Sequence, residues 1–371
     1  MSLVFTPEQE EMRHAVRAFF GSRSPSPEIR RLMETQDGID WDVWRQMATQ
    51  LELLGLGVPE EYGGSGFGPV EQLVVFEEAG RVLLCAPFFG TVALAIPALL
   101  AADDAAAAKD LLPGLANGST VATLAFTEED GDWNPAATRL QAEAAGDGWT
   151  LTGSKSFVID GAAAGLFLVL ARTEAGLSLF AVPADAPGLR RERLETLDLT
   201  RKQVRLFFDG TPARLIGTDG AAQPVLERTL DLAAVLLAAE QVGGAQVCLD
   251  TTVEYAKIRT QFGRKIGSFQ AVKHRCADML VAVESARSAV YQAAWTAADS
   301  PQELPVAATM AKAVASEAYT FCAAETIQLH GGIGFTWEHD AHLYYRRAHS
   351  TALLLGDPAY QRELLAQRLG I

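Results

Sequence analysis

The sequence is poor in features that mark several common classes of protein. Its four cysteines (Cys85, Cys248, Cys276 and Cys322) lie in apolar or helical segments without C-x-x-C spacing. Free thiols in a reducing, cytoplasmic compartment are therefore expected. No run of about 18 apolar residues is free of charge, so we expect no membrane span. Acidic residues occupy the N-terminal segment where a signal peptide would need a basic end, so none is expected there.

Basic residues are also scarce. The 31 Lys and Arg are outnumbered by 46 Asp and Glu, which gives a formal net charge of −15. Neutralising a nucleic-acid backbone requires a surplus of basic residues, so nucleic-acid binding is not expected. With 49% hydrophobic and 21% charged residues, the composition is typical of a globular protein with two or three domains.

One segment, residues 255–277, contains no Asp or Glu. It holds six basic residues: Lys257, Arg259, Arg264, Lys265, Lys273 and Arg275. A solvated helix normally mixes charges of both signs, so this run predicts an anion site. Gly263 and Gly267 interrupt the helical pattern there and would expose backbone N–H groups at a helix end. A solvated basic turn is the alternative interpretation.

Hydrophobic periodicity divides the chain into three predicted domains. Residues 1–118 are predicted to be helical, beginning with a capping box in which Thr6 is the N-cap and Gln9 closes it. The Gly- and Pro-rich stretch 59–69 interrupts this domain, and the apolar segment 88–100 is predicted to be a buried helix that Pro97 kinks.

Residues 119–222 are predicted to form a β-barrel or sandwich, because short alternating segments follow one another with Gly, Asp or Pro between them. The strand candidates are 120–126, 139–144, 149–151, 157–159, 166–172, 177–182, 189–194 and 204–208. Pro183, Pro187 and Pro212 are assigned to the breaks between strands. Residues 223–371 return to a helical pattern, and four long helices are predicted at 225–258, 269–299, 305–330 and 340–369.

Two motifs carry a resemblance to a known family. The first is Y-x3-R-x-Q-F-G-x5-F-Q, from Tyr255 to Gln270, and the second is QLHGGIGFTWEHDAHLYYRR at 328–347. At this separation the sequence resembles the acyl-CoA dehydrogenase family. The resemblance implies an α+β fold with an N-terminal helical domain, a middle β-barrel and a C-terminal four-helix bundle. It also implies FAD as cofactor, an acyl-CoA substrate, electron-transfer flavoprotein or a similar acceptor, and a tetramer.

The same resemblance assigns cofactor-binding residues. Arg259, Phe262, Gln328, Gly331 and Gly332 match positions that hold the pyrophosphate and adenine of FAD across a subunit boundary. Arginine suits a pyrophosphate because its planar fork forms paired charge-assisted hydrogen bonds. The two glycines would let the backbone approach a phosphate where a Cβ would collide. An ordinary helix-ending turn is the alternative interpretation of the Gly-Gly pair.

The middle region matches the family less closely. Thr127 and Phe157 match positions that border the flavin. The sequence TEEDGD at 127–132 lacks the Gly-Ser pair of the family motif, and Ile159 replaces a Thr whose hydroxyl faces the flavin.

The usual catalytic base is absent from this sequence. Removing the α-proton of an acyl thioester needs a carboxylate on the face of the substrate opposite the flavin. Leu355 occupies the position of the usual Glu, and Ala233 occupies the alternative position. Asp357 and Glu240 are the candidate replacement bases. Asp231 matches an acid that contacts the substrate in some relatives.

Four of the six histidines, His330, His339, His342 and His349, lie close together in the sequence. No cysteine or third spaced ligand completes a recognised pattern, so no metal site is expected. The function predicted by the resemblance is FAD-dependent α,β-dehydrogenation of an acyl-CoA thioester, with this chain as the subunit without a base in a hetero-oligomer. The alternatives are a non-catalytic companion subunit and a family member with altered chemistry.

Overall fold

A computed structural model describes residues 4–146 and 148–371 and contains both helices and strands. By packing, these residues form two compact units. The helical unit comprises the chain up to Ile29, Pro69–Leu84 and Ala234–Ile371, and the strand-rich unit comprises Arg30–Gly68 and Cys85–Ala233. The three domains predicted from the sequence, with boundaries at residues 118 and 222, stay a prediction. Residues 1–3 and 147 belong to the predicted domains but lie outside the described residues.

Helices occupy both ends of the sequence. The first six are α1 Pro7–Arg23, α2 Ser26–Met33, α3 Trp41–Thr49, α4 Pro69–Arg81, α5 Ile96–Ala101 and α6 Ala105–Ala116. The last five are α7 Ala222–Ile258, α8 Gln270–Asp299, α9 Leu304–His330, α10 Ala341–Leu353 and α11 Pro358–Leu369. The predicted capping box at the start of α1 is confirmed, since Gln9 N–H donates to Thr6 Oγ1 and Thr6 N–H donates to Gln9 Oε1.

The middle of the chain forms a barrel. Its strands are β1 Ala122–Ala125, β2 Gln141–Ala145, β3 Gly148–Ile159, β4 Leu166–Arg172, β5 Leu177–Pro183, β6 Leu189–Arg193 and β7 Gln203–Ile216. Strand pairing runs β4–β2–β3–β7–β5 and returns to β4, so the ring of strands closes. Strand β1 pairs with β4 in parallel, and β6 pairs with β7 antiparallel. Closure leaves few unpaired strand edges, which favours a single stable domain.

Three strand boundaries were predicted wrongly. Pro183 is the last residue of β5, where it pairs with Leu166, and is not a break. Segments 149–151 and 157–159 belong to one strand, β3, because Gly153 and a bulge let it bend without ending. Pro212 lies inside β7 and is not a break. It pairs with Thr150 beside the register shift between Leu151 and Gly153, where a missing N–H interrupts the ladder least.

The buried apolar segment near residue 90 is helical, as predicted. A π-helical stretch, Phe89–Ala95, is followed by α5, and Pro97 lies in the first turn of α5 where its missing N–H is tolerated. Every residue of Phe89–Ala95 is buried.

The C-terminal helices form a bundle. Its core comprises Ala245, Cys248, Leu249, Met279, Val283, Tyr319, Cys322, Ala323 and Ala348, contributed by α7, α8, α9 and α10. By length and composition α7 could span a membrane, but 83% of its most apolar window is buried inside the protein, as in the core helix of a globular fold.

The predicted single helix at 340–369 is wrong, because α10 ends at Leu353 and α11 begins at Pro358. The break follows from local chemistry. Gly356 has φ +94°, Asp357 caps α11 through its side chain, and Pro358 cannot continue a preceding helix.

Candidate functional site

A short hairpin carries the first motif. After α7 ends at Ile258, strands β8 (Thr260–Gln261) and β9 (Arg264–Lys265) pair antiparallel. The two residues between them, Phe262 and Gly263, both have positive φ, 51° and 75°, as a tight type I′ turn requires. The expectation of a bare helix end is corrected, because the backbone folds back on itself. The turn presents Phe262 to solvent, and that residue is 90% exposed.

Contacts within the segment hold this hairpin. Lys265 Nζ donates to the Ile258 carbonyl at 2.7 Å, which ties the second strand to the end of α7. The Arg264 guanidinium lies 4.0 Å from the centre of the Phe269 ring, and Phe262 meets the same ring edge to face at 6.1 Å. The aromatic tip is therefore supported from one side and open on the other.

Part of the basic run is neutralised. Lys257 pairs with Glu254 at 2.6 Å, and Arg275 pairs with Glu325 at 3.3 Å. The run itself holds no Asp or Glu, but these two residues have acidic partners outside it, one just before the run and the other on α9. Arg259 is exposed, and its guanidinium has no hydrogen-bond or ion-pair partner among the described residues. It is therefore available to an anion.

The second motif begins where α9 ends. Gly331 has φ +64° and ψ −141°, a conformation that favours glycine. A Cβ added at Gly331 or Gly332 would meet no described atom within 4 Å, so packing within this chain does not require either glycine. Gln328, Gly331 and Gly332 are exposed.

A stack of rings joins the two motifs. Tyr255 stacks on His330 with 4.3 Å between ring centres, and His339 lies 4.5 Å from His330 on a tilted plane. His330 Nδ1 lies 2.7 Å from the Thr326 carbonyl, and burial lowers the pKa of this imidazole. The ring contact at Tyr255 and His330 brings the turn after α7 beside the turn after α9. The predicted cofactor residues of the two motifs therefore belong to one region of the helical unit.

A cavity of about 510 Å³ lies between α8 and α9. It is lined by Ala271, Val272, Arg275, Ala324, Glu325, Gln328 and Leu329. Gln328 was expected in the site from the sequence, whereas Arg275 was noted only as part of the basic run. The lining combines an apolar floor with the Gln328 amide and the Arg275–Glu325 ion pair, and the apolar floor and the amide suit the base of a nucleotide. With the exposed Arg259 guanidinium available to a phosphate, the residues present fit a flavin cofactor.

In the strand-rich unit, the structure brings Thr127 and Phe157 together. Thr127 is buried, its hydroxyl donates to the Ser156 carbonyl at 2.7 Å, and Ser156 N–H donates to the Thr127 carbonyl at 3.0 Å. Phe157 has φ +57° at a bulge in β3 and remains 36% exposed. A positive φ at an aromatic residue is strained, and such strain is common at ligand-binding sites.

A buried ion pair shapes the loop after Thr127. Lys155 Nζ donates to Glu128 Oε1 at 3.0 Å and to the Phe126 carbonyl at 3.0 Å. Burial lowers the pKa of Lys155 to about 8, although the Glu128 carboxylate opposes this shift. Glu128 also accepts the backbone N–H groups of Arg139 and Leu140. Both ends of the 127–140 loop are thereby fixed to β3.

The turn between α10 and α11 contains Leu355, at the position of the family's usual base. Leu355 is buried and has φ +63°. Its carbonyl accepts from Gln361 Nε2 at 2.6 Å. Among the described residues its N–H has no hydrogen-bond partner. In a buried residue, an N–H without a partner in the chain is uncommon, and such a donor can receive a ligand carbonyl.

The three predicted acidic site residues have different environments. Glu240 is buried and accepts a 2.7 Å hydrogen bond from Arg347 Nη1. Asp357 is exposed, and its Oδ1 accepts the Tyr360 N–H at 2.8 Å as the cap of α11. Asp231 is buried in the first third of α7. Asp357 follows Leu355 by two residues in the sequence and caps α11, whereas Glu240 is held in an ion pair.

Comparisons with known proteins agree with this architecture. The sequence matches the family models described as acyl-CoA dehydrogenase N-terminal domain over residues 6–119, middle domain over 123–210 and C-terminal domain over 223–370. It is 36% identical over 360 residues to the acyl-CoA dehydrogenase IpdE2 of Mycobacterium tuberculosis, covering 97% of this chain and 96% of that protein.

Two solved structures are similar over nearly the whole chain. The Tcur3481-Tcur3483 steroid ACAD variant has a TM-score of 0.89 and 35% identity, covering 98% of both chains. The ChsE4-ChsE5 complex of Mycobacterium tuberculosis has a TM-score of 0.91 and 30% identity, covering 100% of this chain and 99% of the other. The chain belongs to the acyl-CoA dehydrogenase family. The family assigns it to the oxidoreductases that act on acyl-CoA, with a flavin cofactor.

Proposed function

We propose that this chain is the FAD-binding subunit without a base in an acyl-CoA dehydrogenase hetero-oligomer. The observation that carries the proposal is the turn at Leu355. Its backbone N–H is free to receive a thioester carbonyl, whereas its side chain cannot take a proton. The turn would therefore orient and polarise the substrate without abstracting its α-proton.

The cofactor contacts follow from the hairpin and the turn after α9. Arg259 and Gln328 would donate to the pyrophosphate and adenine, and Gly331 and Gly332 leave room for them. Phe262 would cover the cofactor from the hairpin tip. In the strand-rich unit, Thr127 and Phe157 would border the isoalloxazine ring. A flavin held by these residues would supply the acceptor for the hydride that leaves the β-carbon of the substrate.

Neither candidate base has an environment that favours proton abstraction. Glu240 is engaged with Arg347 and buried, so its carboxylate serves an ion pair. Asp357 has one oxygen engaged as a helix cap and the other open, which makes it the more accessible of the two. If the single chain turns over at all, we propose Asp357 as the base. Asp231 is proposed to contact the substrate.

Assembly with a second chain is supported by the surface of the helical unit. Phe262, Phe335 and Trp337 are large apolar residues, and all three are exposed on the segments joined by Tyr255 and His330. Such exposure is typical of a face that another subunit covers. The two similar structures named above carry titles that pair two proteins. We propose a homo- or hetero-tetramer in the cytoplasm, reoxidised by electron-transfer flavoprotein or a similar acceptor.

The experiment compares steady-state dehydrogenation by the purified chain with that of the same chain co-expressed with an acyl-CoA dehydrogenase chain that carries the usual Glu. Butyryl-CoA and a steroid-derived acyl-CoA are the two substrates, since one similar structure is titled a butyryl-CoA dehydrogenase and another a steroid ACAD. We expect flavin bands in both preparations and turnover only in the co-expressed complex. Full turnover by the single chain would exclude the companion role, and a chain without flavin bands would exclude the cofactor assignment.

A second candidate function is a purely structural companion subunit that binds no substrate. The free Leu355 N–H argues against it, because a structural turn would satisfy that donor within the fold. Titration of the flavin spectrum with butyryl-CoA under anaerobic conditions separates the two. A spectral shift supports substrate binding, and an unchanged spectrum in both preparations supports the structural role.

A further inference from the structure

Lys312 is a buried lysine in the middle of α9. Its side chain is fully buried, and the flanking sequence, ATMAKAVASEA, consists largely of small residues. Burying its amine is costly unless hydrogen-bond partners replace its hydration. Lys155, the other fully buried lysine described above, lies in contact with a carboxylate, whereas no described acid lies within ion-pair distance of Lys312. The cost must therefore be offset by other groups.

The partners of Lys312 are the two ends of the Leu355 turn. Its Nζ donates to the carbonyl of Ala352 at 3.2 Å and to the carbonyl of Gly356 at 3.3 Å. Ala352 lies in the last turn of α10, where carbonyls have no partner within the helix. One amine thus bridges the end of α10 and Gly356, two residues before α11, with Leu355 between them.

The amine is itself held in place from behind. Ser316, one turn further along α9, lies 2.8 Å from Lys312 Nζ through its Oγ. Gln241 on α7 contacts that Oγ with both amide atoms, Nε2 at 3.1 Å and Oε1 at 3.2 Å. These neutral, buried contacts fix the position of the amine relative to two helices of the bundle. The turn is therefore connected to the core of the helical unit by hydrogen bonds that run through Lys312, Ser316 and Gln241.

We propose that Lys312 is a positioning residue that holds the turn at 352–356 so that the Leu355 N–H meets the thioester carbonyl of the substrate. The inference rests on the proposed function, because it takes the Leu355 N–H as the thioester contact. Gln361 holds the turn at a second point, because its Nε2 donates to the Leu355 carbonyl. The strained, left-handed Leu355 has no intrinsic preference for this geometry, so the two side chains must impose it.

The test uses the full-length chain in the complex in which it purifies. Lys312→Met removes the amine and keeps the apolar stem, and Lys155→Met removes the other buried amine as a matched control. Hydrogen exchange of the peptide containing residues 353–357 is measured in each. We expect exchange about tenfold faster in Lys312→Met and unchanged in the control. Ser316→Ala, which leaves both carbonyl contacts of the amine intact, should give a smaller change in the same direction.

Ligand binding distinguishes positioning from general stabilisation. Butyryl-CoA and S-butyl-CoA share the nucleotide and the alkyl length, so only the first offers a carbonyl to Leu355. We expect the wild-type complex to prefer the thioester, and Lys312→Met to lose about tenfold in that preference while its affinity for S-butyl-CoA stays the same.

The outcomes separate the inference from the proposed function. A wild-type complex that binds both ligands equally, or neither, would overturn the assignment of Leu355 and with it the inference. A wild-type preference that survives intact in Lys312→Met, or unchanged exchange at 353–357, would overturn the positioning role alone.

Discussion

The phenol ring of Tyr255 stacks on the imidazole of His330, with 4.3 Å between ring centres and 24° between ring planes. The two residues come from different helices, at the point where each helix ends. Because the contact is buried on the His330 side, it fixes the spacing between the hairpin at Phe262 and the glycine turn at Gly331. The proposed cofactor contacts of Arg259 and Gln328 depend on that spacing.

Replacing Arg259 with alanine should weaken FAD binding more than it disturbs folding. The guanidinium is exposed, so its loss leaves no buried group without a partner. A charge-assisted hydrogen bond to phosphate contributes about 1.5–3 kcal/mol, so binding should weaken roughly ten- to a hundredfold. Flavin content after gel filtration and a titration with FAD measure the effect. Lys257→Ala is the matched control, since Lys257 pairs with Glu254, and equal flavin loss in both variants would contradict a specific role for Arg259.

Leu355→Glu should give the single chain a base. The backbone there already has φ +63°, and a glutamate side chain would place a carboxylate at the family position. General-base catalysis contributes about 10²–10⁴ in rate, so turnover of butyryl-CoA should rise by that order. Leu355→Gln has the same length and backbone cost without the charge, and it should stay as slow as the wild type. A rise of equal size in both variants would show that side-chain size, not proton abstraction, limits the reaction.

Glu240→Gln should destabilise the fold. It leaves the buried Arg347 guanidinium without its counter-charge, which costs about 3–5 kcal/mol in the free energy of unfolding. Replacing both residues with methionine should recover most of that loss, because no charge then remains buried. Urea denaturation of Glu240→Gln and of the double variant, Glu240→Met with Arg347→Met, measures the loss and the recovery. Loss of turnover in Glu240→Gln with unchanged stability would instead indicate that Glu240 is the base.

The stability of the protein should rise with pH above neutrality because of Lys312. Burial lowers its pKa to about 7 from an ordinary value of 10.5, and the attraction of Asp357 only partly opposes this. Between these two values the unfolded chain binds a proton that the folded chain does not, so the free energy of unfolding increases with pH. The slope from this group is at most about 1.4 kcal/mol per pH unit.

Lys312→Met should remove that part of the slope. Urea denaturation at pH 7.5 and pH 9 in both proteins measures the difference. Lys273→Met, which changes an exposed lysine, is the control and should keep the wild-type slope. Parallel pH curves for Lys312→Met and the wild type would show that the amine is not buried in the folded protein.

Much of the fold could be predicted because local patterns determine it. The capping box at Thr6 and the starts and ends of α7, α8 and α9 lie within a few residues of the predicted positions. The break at Leu354–Asp357 was missed although Asp-Pro signals it, because the apolar run Leu353–Leu355 continues the helical pattern. Pro212 was wrongly predicted to lie between strands. Whether a strand accepts a proline depends on its pairing with the neighbouring strand, which sequence alone does not show.

The candidate site could be predicted only in part. The structure groups the motif residues in one region, and their spacing could be recognised because it is local, within the hairpin and within the turn after α9. Their role in binding the cofactor stays a prediction. The attachment of the Leu355 turn to Lys312 was not found, since it joins residues about 40 positions apart on different helices. A lysine among small residues with a serine one turn later is the only signal that the sequence offers. The free N–H of Leu355 is likewise visible only once the backbone path is known.

The conformation of the hairpin between α7 and α8 is fixed by contacts within its own segment. Its strands are two residues long, its turn is fixed by two left-handed residues, and Arg259, Lys265 and Phe269 close it through contacts a few residues apart. The conformational entropy of the tip is therefore lost when the chain folds, and not again when Phe262 meets its ligand or neighbour. Preorganisation of this kind increases affinity without adding a single contact.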